Sequence, residues 1–334
     1  MVWLKFLLCV AIILFSGTKL ARYGDAIAEK TGLGRLWVGL LLLAAITTMP
    51  ELVTGVSSAA LVKLPDLALG TLLGSCIFNL SILALLDILH RPAPILSKAS
   101  SSHMLSAGLG ILLIAIGAGG ILAGGRFSGL ALGWVGIPGI IILILYLVGA
   151  RWMFHLERRN RLPPLQAVPL QYKEIPVRTA WFRFALAAAG VIGAGIWLAF
   201  IGDEIVQTTG WGASFVGSLF LAITTSMPEL VVTVAALRLG AIDMAVADIL
   251  GANMLDMVII IWVDLSYTQG HILAVVSQAH LITAAVAVVM SLLVIIGLRF
   301  RQRRKTFIVF SWYVPVLIGL YILGAYALFI SGIG

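Results

Sequence analysis

Runs of about 20 apolar residues follow one another along the whole chain, each long enough to cross a bilayer as a helix. They predict ten spans, at about 3–21, 34–61, 66–87, 103–123, 130–150, 180–206, 211–239, 243–265, 273–298 and 308–330. One substantial hydrophilic segment breaks the series, from Arg151 to Thr179, and its Pro163 and Pro164 keep it from being a further span. The first run, Trp3 to Leu20, lacks a convincing small-residue cleavage site, so it is expected to be retained as a helix. The fold class is therefore all-α integral membrane.

Composition supports this reading. Of 334 residues, 61% are hydrophobic and 11% charged, with a mean hydropathy of +1.11. A soluble surface needs about a quarter of residues charged, so nothing is left over for a soluble domain. Cys9 and Cys76 both lie in apolar segments, which argues against a disulfide frame or a thiolate metal site.

The halves on either side of the polar segment resemble each other. "GDAIAEKTGLGRLWVGLLLLAAITTMPELV" from Gly24 matches "GDEIVQTTGWGASFVGSLFLAITTSMPELV" from Gly202 without a gap, at an offset of 178. Gly24, Asp25, Thr31, Gly32, Gly34, Val38, Gly39, Thr47, Pro50 and Glu51 all recur. After a one-residue deletion the offset is 177, and "DLALGTLLGSCIFN" from Asp66 matches "DMAVADILGANMLD" from Asp243. The expected organisation is a first five-helix repeat at 1–150, a cytoplasmic linker at 151–179 and a second five-helix repeat at 180–334. Five is odd, so the repeats should sit in opposite orientations, as in secondary transporters.

Charge then sets the orientation. The net charge is +8, and 19 of the 22 Lys and Arg lie in or beside loops 1–2, 3–4, 5–6, 7–8 and 9–10; the opposite face holds only Lys5, Lys63 and Arg126. By the positive-inside rule those loops are cytoplasmic and both termini lie outside, in a multi-pass protein of the cell (inner) membrane. The positive charge thus reports topology, and no nucleic-acid partner is expected.

Pro50 and Pro228 stand well inside the second and seventh spans. A proline there cannot donate to the carbonyl four residues back, so Ile46 and Thr224 lose their usual partner and both helices should break. Thr47, Thr48, Thr225 and Ser226 add hydroxyls at that depth, and Glu51 and Glu229 follow directly. On the next spans Ser75 and Asn79 share a face, with Gly74 permitting close approach of a neighbouring helix; Gly251, Ala252 and Asp256 are their counterparts. Bare carbonyls, hydroxyls and carboxylates make an all-oxygen cage suited to hard cations such as Ca²⁺ or Na⁺. Three ionised carboxylates at the midplane (Glu51, Glu229 and Asp256, with Asn79 beside them) cost on the order of 8–10 kcal/mol to insert on translocon scales, and no packing benefit offsets that. A proline alone can be a mere kink, and a hydroxyl can bond back to its own helix. Two such breaks in register across a repeat favour a site. Asp25 and Asp203, near the ends of the first and sixth spans, read as caps or loop anchors. Asp248 shares a face with Asp256, about 12 Å along the axis; it is either a helix-start aspartate favoured by the dipole or the lining of an inward-open vestibule that concentrates cations.

At these residues the chain resembles the calcium/cation antiporter superfamily, specifically its sodium/calcium exchanger branch of bacterial and archaeal type. That family carries two inverted repeats, each with a G-T-S-[LM]-P-E-like motif and a later G-S-x-x-x-[ND]. Here they stand as "ITTMPE" with "GSCIFN", inside about 44–80, and "TTSMPE" with "GANMLD", inside about 222–257. The resemblance implies Ca²⁺ transport against Na⁺ by alternating access, with no cofactor beyond the transported ions. It also implies that Glu51 and Glu229 hold Ca²⁺, that Thr47, Thr48, Thr225, Ser226 and Ser75 help bind Na⁺, and that Asn79 and Asp256 complete the site. Ile46 and Thr224 replace the motif glycine, and Ala252 stands where the family usually has a Na⁺-binding serine. Proton-coupled Ca²⁺ antiport and a passive cation channel are the alternatives. An enzyme is not expected: "RYGD" and "FIGD" lack the first glycine of an intramembrane aspartyl protease motif, and no H-E-x-x-H is present. The oligomeric state is not legible from the sequence.

Overall fold

The computed structural model describes residues 1–31, 44–124, 131–159, 175–302, 304–307 and 309–332. Ten helices of twelve residues or more stand among the described residues. They are α1 (Val2–Thr31), α2 (Met49–Ala60), α3 (Pro65–Leu89), α4 (His103–Ala123) and α5 (Ile137–Arg159). After residues 160–174, which lie outside the described residues together with most of the predicted linker, come α6 (Val177–Thr209), α7 (Met227–Arg238), α8 (Ile242–Ser266), α9 (His280–Phe300) and α10 (Tyr313–Ser331). Among the described residues seven helices are long and apolar enough to cross a membrane singly, and the bent pair Ala213–Thr225 plus Met227–Arg238 makes an eighth. The chain is thus a predominantly helical, multi-pass membrane protein. The first part of the predicted second span, 34–43, lies outside the described residues, as do Gly32, Gly34, Val38, Gly39 and Arg126.

Several boundaries move for local reasons. α1 runs ten residues past its expected end at 21, through Tyr23 and the buried Ala26 and Ile27. The expected start of the fifth span at 130 gives way to a two-strand turn, Ala131–Leu132 (β1) against Val135–Gly136 (β2). Gly133 turns it at φ 70°, a conformation glycine adopts freely, and α5 then starts at Ile137 with Pro138 in its first turn. The expected ninth span from 273 splits into a short helix, Ile272–Val275, and α9; Val276 between them is extended. Asp203 caps no helix end. It lies inside α6 and accepts from Gln207 one turn on, at 2.8 and 2.9 Å.

α3 and α8 form the centre: buried side chains recur along most of their length, whereas α1, α4, α6, α9 and α10 keep broad apolar faces exposed, as lipid-facing helices must. Between apolar helices in lipid no hydrophobic gain drives contact, so close packing of small residues carries the association. Gly70 and Gly74 of α3 lie directly against the backbone of Ser214–Ser218, which leads into a π-helical turn at Gly217–Leu221. On the other side Gly251 of α8 faces the Cβ of Ala44.

Polar contacts at the helix ends repeat across the halves. Asp66 accepts from the Ser277 backbone at 2.6 Å and sits 3.0 Å from His280. Its equivalent, Asp243, accepts from the Ser100 backbone at 2.5 Å and sits 3.1 Å from His103. At the far ends of the same helices Asp87 accepts from the Ile95 backbone at 2.8 Å and Asp264 from that of Ile272 at 2.6 Å. Asp87 also holds Ser311 and Tyr313 and faces Lys305, and so fixes the start of α10.

Candidate ion-binding site

Both expected helix breaks are present, and they have the same form. Thr48 (φ −79°, ψ 5°) and Ser226 (φ −85°, ψ 9°) depart from helical geometry just ahead of α2 and α7, and each proline falls in the first turn of the helix that follows. The second break bends the chain by 43°. Backbone bonds continue on either side of each gap, from Thr48 to Ala44 (2.9 Å) and Leu52 to Thr48 (3.1 Å), and from Ser226 to Ala222 (3.0 Å) and Leu230 to Ser226 (3.2 Å). Pro50 and Pro228 have no N–H to give, so the carbonyls of Ile46 and Thr224 are left without that helical partner.

The breaks meet against α3 and α8. Ser226 Oγ lies 2.9 Å from Glu51 Oε1 and 3.0 Å from Ser75 Oγ, and Ser75 lies 3.4 Å from the same carboxylate oxygen. One residue each from α2, α3 and the break before α7 is thereby joined in one cluster. Asn79 is on the same face of α3, fully buried, with neither amide atom hydrogen-bonded. Asp256 Oδ2 is 3.9 Å from the Cys76 thiol and its Oδ1 has no partner. Neither oxygen of Glu229 is hydrogen-bonded, and Glu229 lies within electrostatic reach of Glu51, Asp248 and Asp256. Asp256 in turn feels Glu51.

The other expected hydroxyls are at this depth but turn to their own helices. Thr47 and Thr48 donate to the Ala44 carbonyl at 3.1 and 2.8 Å and Thr225 to that of Leu221 at 3.1 Å; the hydroxyl of Thr224, a residue expected to offer its carbonyl, donates to that of Phe220 at 2.7 Å. Such a hydroxyl still presents lone pairs to a cation. Every one of these side chains is buried, Glu51, Glu229, Asn79, Asp256 and Ser75 completely, so the chamber is closed to both sides in this conformation. Asp248 is closed off with them and faces protein here. Among the described residues no three His, Cys, Asp or Glu side chains converge as a metal-binding group on their own. A cation held here needs hydroxyl, amide and carbonyl oxygens beside the carboxylates.

Sequence reasoning missed the contact that centres the chamber. Asn253 Nδ2 donates to the Cys76 carbonyl at 3.1 Å, and the Cys76 thiol approaches the Asn253 carbonyl at 3.7 Å. These two positions are equivalents of each other at the offset of 177, so α3 and α8 cross where the repeat maps onto itself. Extending the repeat comparison past Asp256 would also have found Asp87 with Asp264, and Ser100 and His103 with Ser277 and His280.

A multi-pass helical protein that closes a chamber of carboxylates, hydroxyls and an amide around two broken helices has the architecture of an ion carrier. The chain belongs to the sodium/calcium exchanger protein family, whose sequence profile matches residues 1–154 and 179–333. It is 27% identical to the inner membrane protein YrbG of Escherichia coli K12 over 273 residues, 78% of each chain. It is 23% identical to the putative antiporter CaxA of Alkalimonas amylolytica over 272 residues, 79% of this chain and 80% of that one. Among solved structures it resembles the sodium-calcium exchanger NCX_Mj, with a TM-score of 0.62 at 20% identity, covering 98% of this chain and 99% of that one. The family is one of exchangers rather than enzymes.

Proposed function

We propose that the chain exchanges Na⁺ for Ca²⁺ by alternating access through this chamber, with its ten spans arranged as two inverted five-helix repeats. The observation that carries the reading is the fully buried contact of Ser226 with Glu51, which joins the two helix breaks across the centre of the protein. A carrier must hold its ion where neither side reaches it, and a chamber closed to both sides meets that need, whereas an open pore does not. Glu51 and Glu229 would hold Ca²⁺, with Asn79, Asp256, Ser75, Ser226, Thr47, Thr48, Thr225 and the carbonyls of Ile46 and Thr224 as further oxygens for Ca²⁺ and Na⁺. The two stretches matched by the family profile, on either side of the polar segment, support the division into repeats at 1–150 and 180–334 with a cytoplasmic linker at 151–179. Both termini would then face outward.

Ca²⁺ uptake into inside-out vesicles, driven in turn by an imposed Na⁺ or H⁺ gradient, tests the reading. The Na⁺ gradient should drive uptake and the H⁺ gradient should not. Uptake driven by H⁺ alone would replace Na⁺ as the coupling ion, and Ca²⁺ flux with no counter-ion requirement would make the protein a channel.

One observation favours protons. Ser75 reaches Glu51, but its equivalent Ala252 offers Glu229 no hydroxyl. Ala252→Ser should raise the apparent Na⁺ affinity about threefold to tenfold, worth about 1 kcal/mol for a neutral hydrogen-bonding group, with little change for Ca²⁺. Na⁺-dependence curves of Ca²⁺ uptake check this, and an unchanged curve would remove position 252 from the ion site.

A further inference from the structure

The chain holds no Asp or Glu from Ile88 to Leu156, nor from Leu265 to its last residue, and the α3–α4 and α9–α10 loops fall in these two stretches. The second loop opens on "RFRQRRK" from Arg299, five Lys or Arg in seven residues. The fold brings the two loops together. Arg301 donates to the Ala99 carbonyl at 3.3 Å, next to Lys98, and Gly297 of α9 lies against the Leu96 side chain. Lys305 turns inward: its side chain is only 5% exposed, pairs with the Asp87 carboxylate at 3.6 Å and donates to the Asp87 and Val309 carbonyls. That lysine fixes the loop and leaves the arginines outside. Arg299, Arg301, Arg304 and Lys98 are exposed, and among the described residues none of them is in an ion pair. Asp87 and Asp243, which end α3 and begin α8, are engaged by backbone N–H groups and by Lys305 and His103. Large rings stand beside the cations: Phe300 at the end of α9 is 74% exposed and Phe307 is 50% exposed.

Orientation in the membrane does not by itself call for this arrangement. The positive-inside bias counts Lys and Arg alike and requires no aromatic ring. The stretch 151–183, with seven Lys or Arg, already supplies it. A cation in the last turn of α9 answers the helix dipole, which accounts for Arg299 but not for Arg304 beyond the helix end. A guanidinium is planar, permanently charged and bonds phosphate oxygens in pairs. An exposed ring beside it, at the end of a membrane helix, settles at the boundary between headgroups and acyl chains.

We propose that the α9–α10 loop, with Lys98 from the α3–α4 loop, binds the headgroup of an anionic phospholipid in the adjoining leaflet. Arg299, Arg301, Arg304 and Lys98 meet the phosphate, and Phe300 and Phe307 lie at the top of the acyl chains. The exposed rings make the occupant a lipid rather than a soluble phosphate, because only a lipid covers both the cations and the apolar surface next to them. Lys305 and its bonds to Asp87 hold the loop in place before the lipid arrives, so little ordering is needed on binding. The site is separate from the ion chamber and stands whichever cation is exchanged.

Native mass spectrometry of the purified full chain in a non-ionic detergent, titrated with phosphatidylglycerol or with phosphatidylcholine of the same acyl chains, tests it. Phosphatidylglycerol should bind at least about tenfold more tightly, since several cations near the surface each contribute about fivefold. The double variant Arg299→Gln, Arg304→Gln leaves the Arg301–Ala99 bond in place and should weaken phosphatidylglycerol binding about thirtyfold on the same basis. If that variant does not fold, Arg304→Gln alone should show about a fivefold loss. Arg151→Gln with Arg178→Gln removes as many exposed cations elsewhere and should bind as wild type does. Equal binding of the two lipids by wild type, no loss in the Arg299 and Arg304 variants, or the same loss in the Arg151 and Arg178 variant would each overturn the site. Competition by glycerol phosphate as effective as that of the lipid would make the occupant a soluble phosphate and overturn the lipid assignment.

Discussion

Glu51→Gln and Glu229→Gln should each reduce Ca²⁺ uptake at least a hundredfold, while the protein still inserts and stays monodisperse in detergent. Gln keeps the volume of Glu, and its amide oxygen can still accept from Ser226 where Glu51 Oε1 does so at 2.9 Å, so the architecture around the break survives. What would be lost, on the proposed role, is a full charge opposite a divalent ion in a buried site, where removing one partner of a buried pair costs about 3–5 kcal/mol. A hundredfold loss needs about 2.7 kcal/mol, below the bottom of that range, so the loss should be at least that large. Glu229 should be at least as sensitive as Glu51: it has no hydroxyl partner to retain any polarity at the site. Uptake in proteoliposomes, normalised to folded protein, is the measurement. Retention of more than a tenth of wild-type flux by either variant would remove that glutamate from the ion site.

The breaks and the candidate site beside them were legible because they violate what a membrane helix prefers. Proline inside an apolar run, followed at once by a glutamate, has no packing rationale, and its recurrence at a fixed offset marks both copies. Thr48 and Ser226 then adopt nearly the same non-helical dihedrals, as that recurrence predicts. Which hydroxyls would face the centre was not legible. Thr47, Thr48 and Thr225 bond back to their own helices while Ser226 crosses to Glu51, and residue type alone does not separate these outcomes. Periodicity likewise gave no sign that Asp87 and Asp264 tie helix ends to the following loops, since a single acid near the end of an apolar run looks like a boundary marker. The turn at Ala131–Gly136 was hidden because its residues are as apolar as the span they precede.

Gly74→Ala should be the most damaging glycine-to-alanine change among the described residues. A Cβ on Gly74 would lie 2.4 Å from the Ser218 carbonyl oxygen, 2.5 Å from the Ser218 Cα and 2.8 Å from the Ala222 Cβ. Two of the three are backbone atoms in the π-helical stretch that leads to the break, so no side-chain rotation relieves the clash. Overpacking of this kind costs about 1–3 kcal/mol where neighbours yield, and more where they are backbone; about 3 kcal/mol or more is expected here. The same push displaces Ser226 from Glu51, because Gly74 adjoins Ser75 and Ala222 lies one turn ahead of Ser226. Transport should therefore fail even in the fraction that folds. Gly324→Ala on α10 gives the contrast: a Cβ there meets the Val286 side chain, nearest at 3.3 Å, which a shift of a few tenths of an ångström accommodates. Gly324→Ala should cost about 1 kcal/mol or less. Thermal unfolding of both variants in one detergent, beside Ca²⁺ uptake, separates them. Equal stabilities would mean that α3 and the segment ahead of α7 do not meet backbone to backbone at Gly74, and the close approach that holds Ser75 and Ser226 on one carboxylate would have to come from elsewhere.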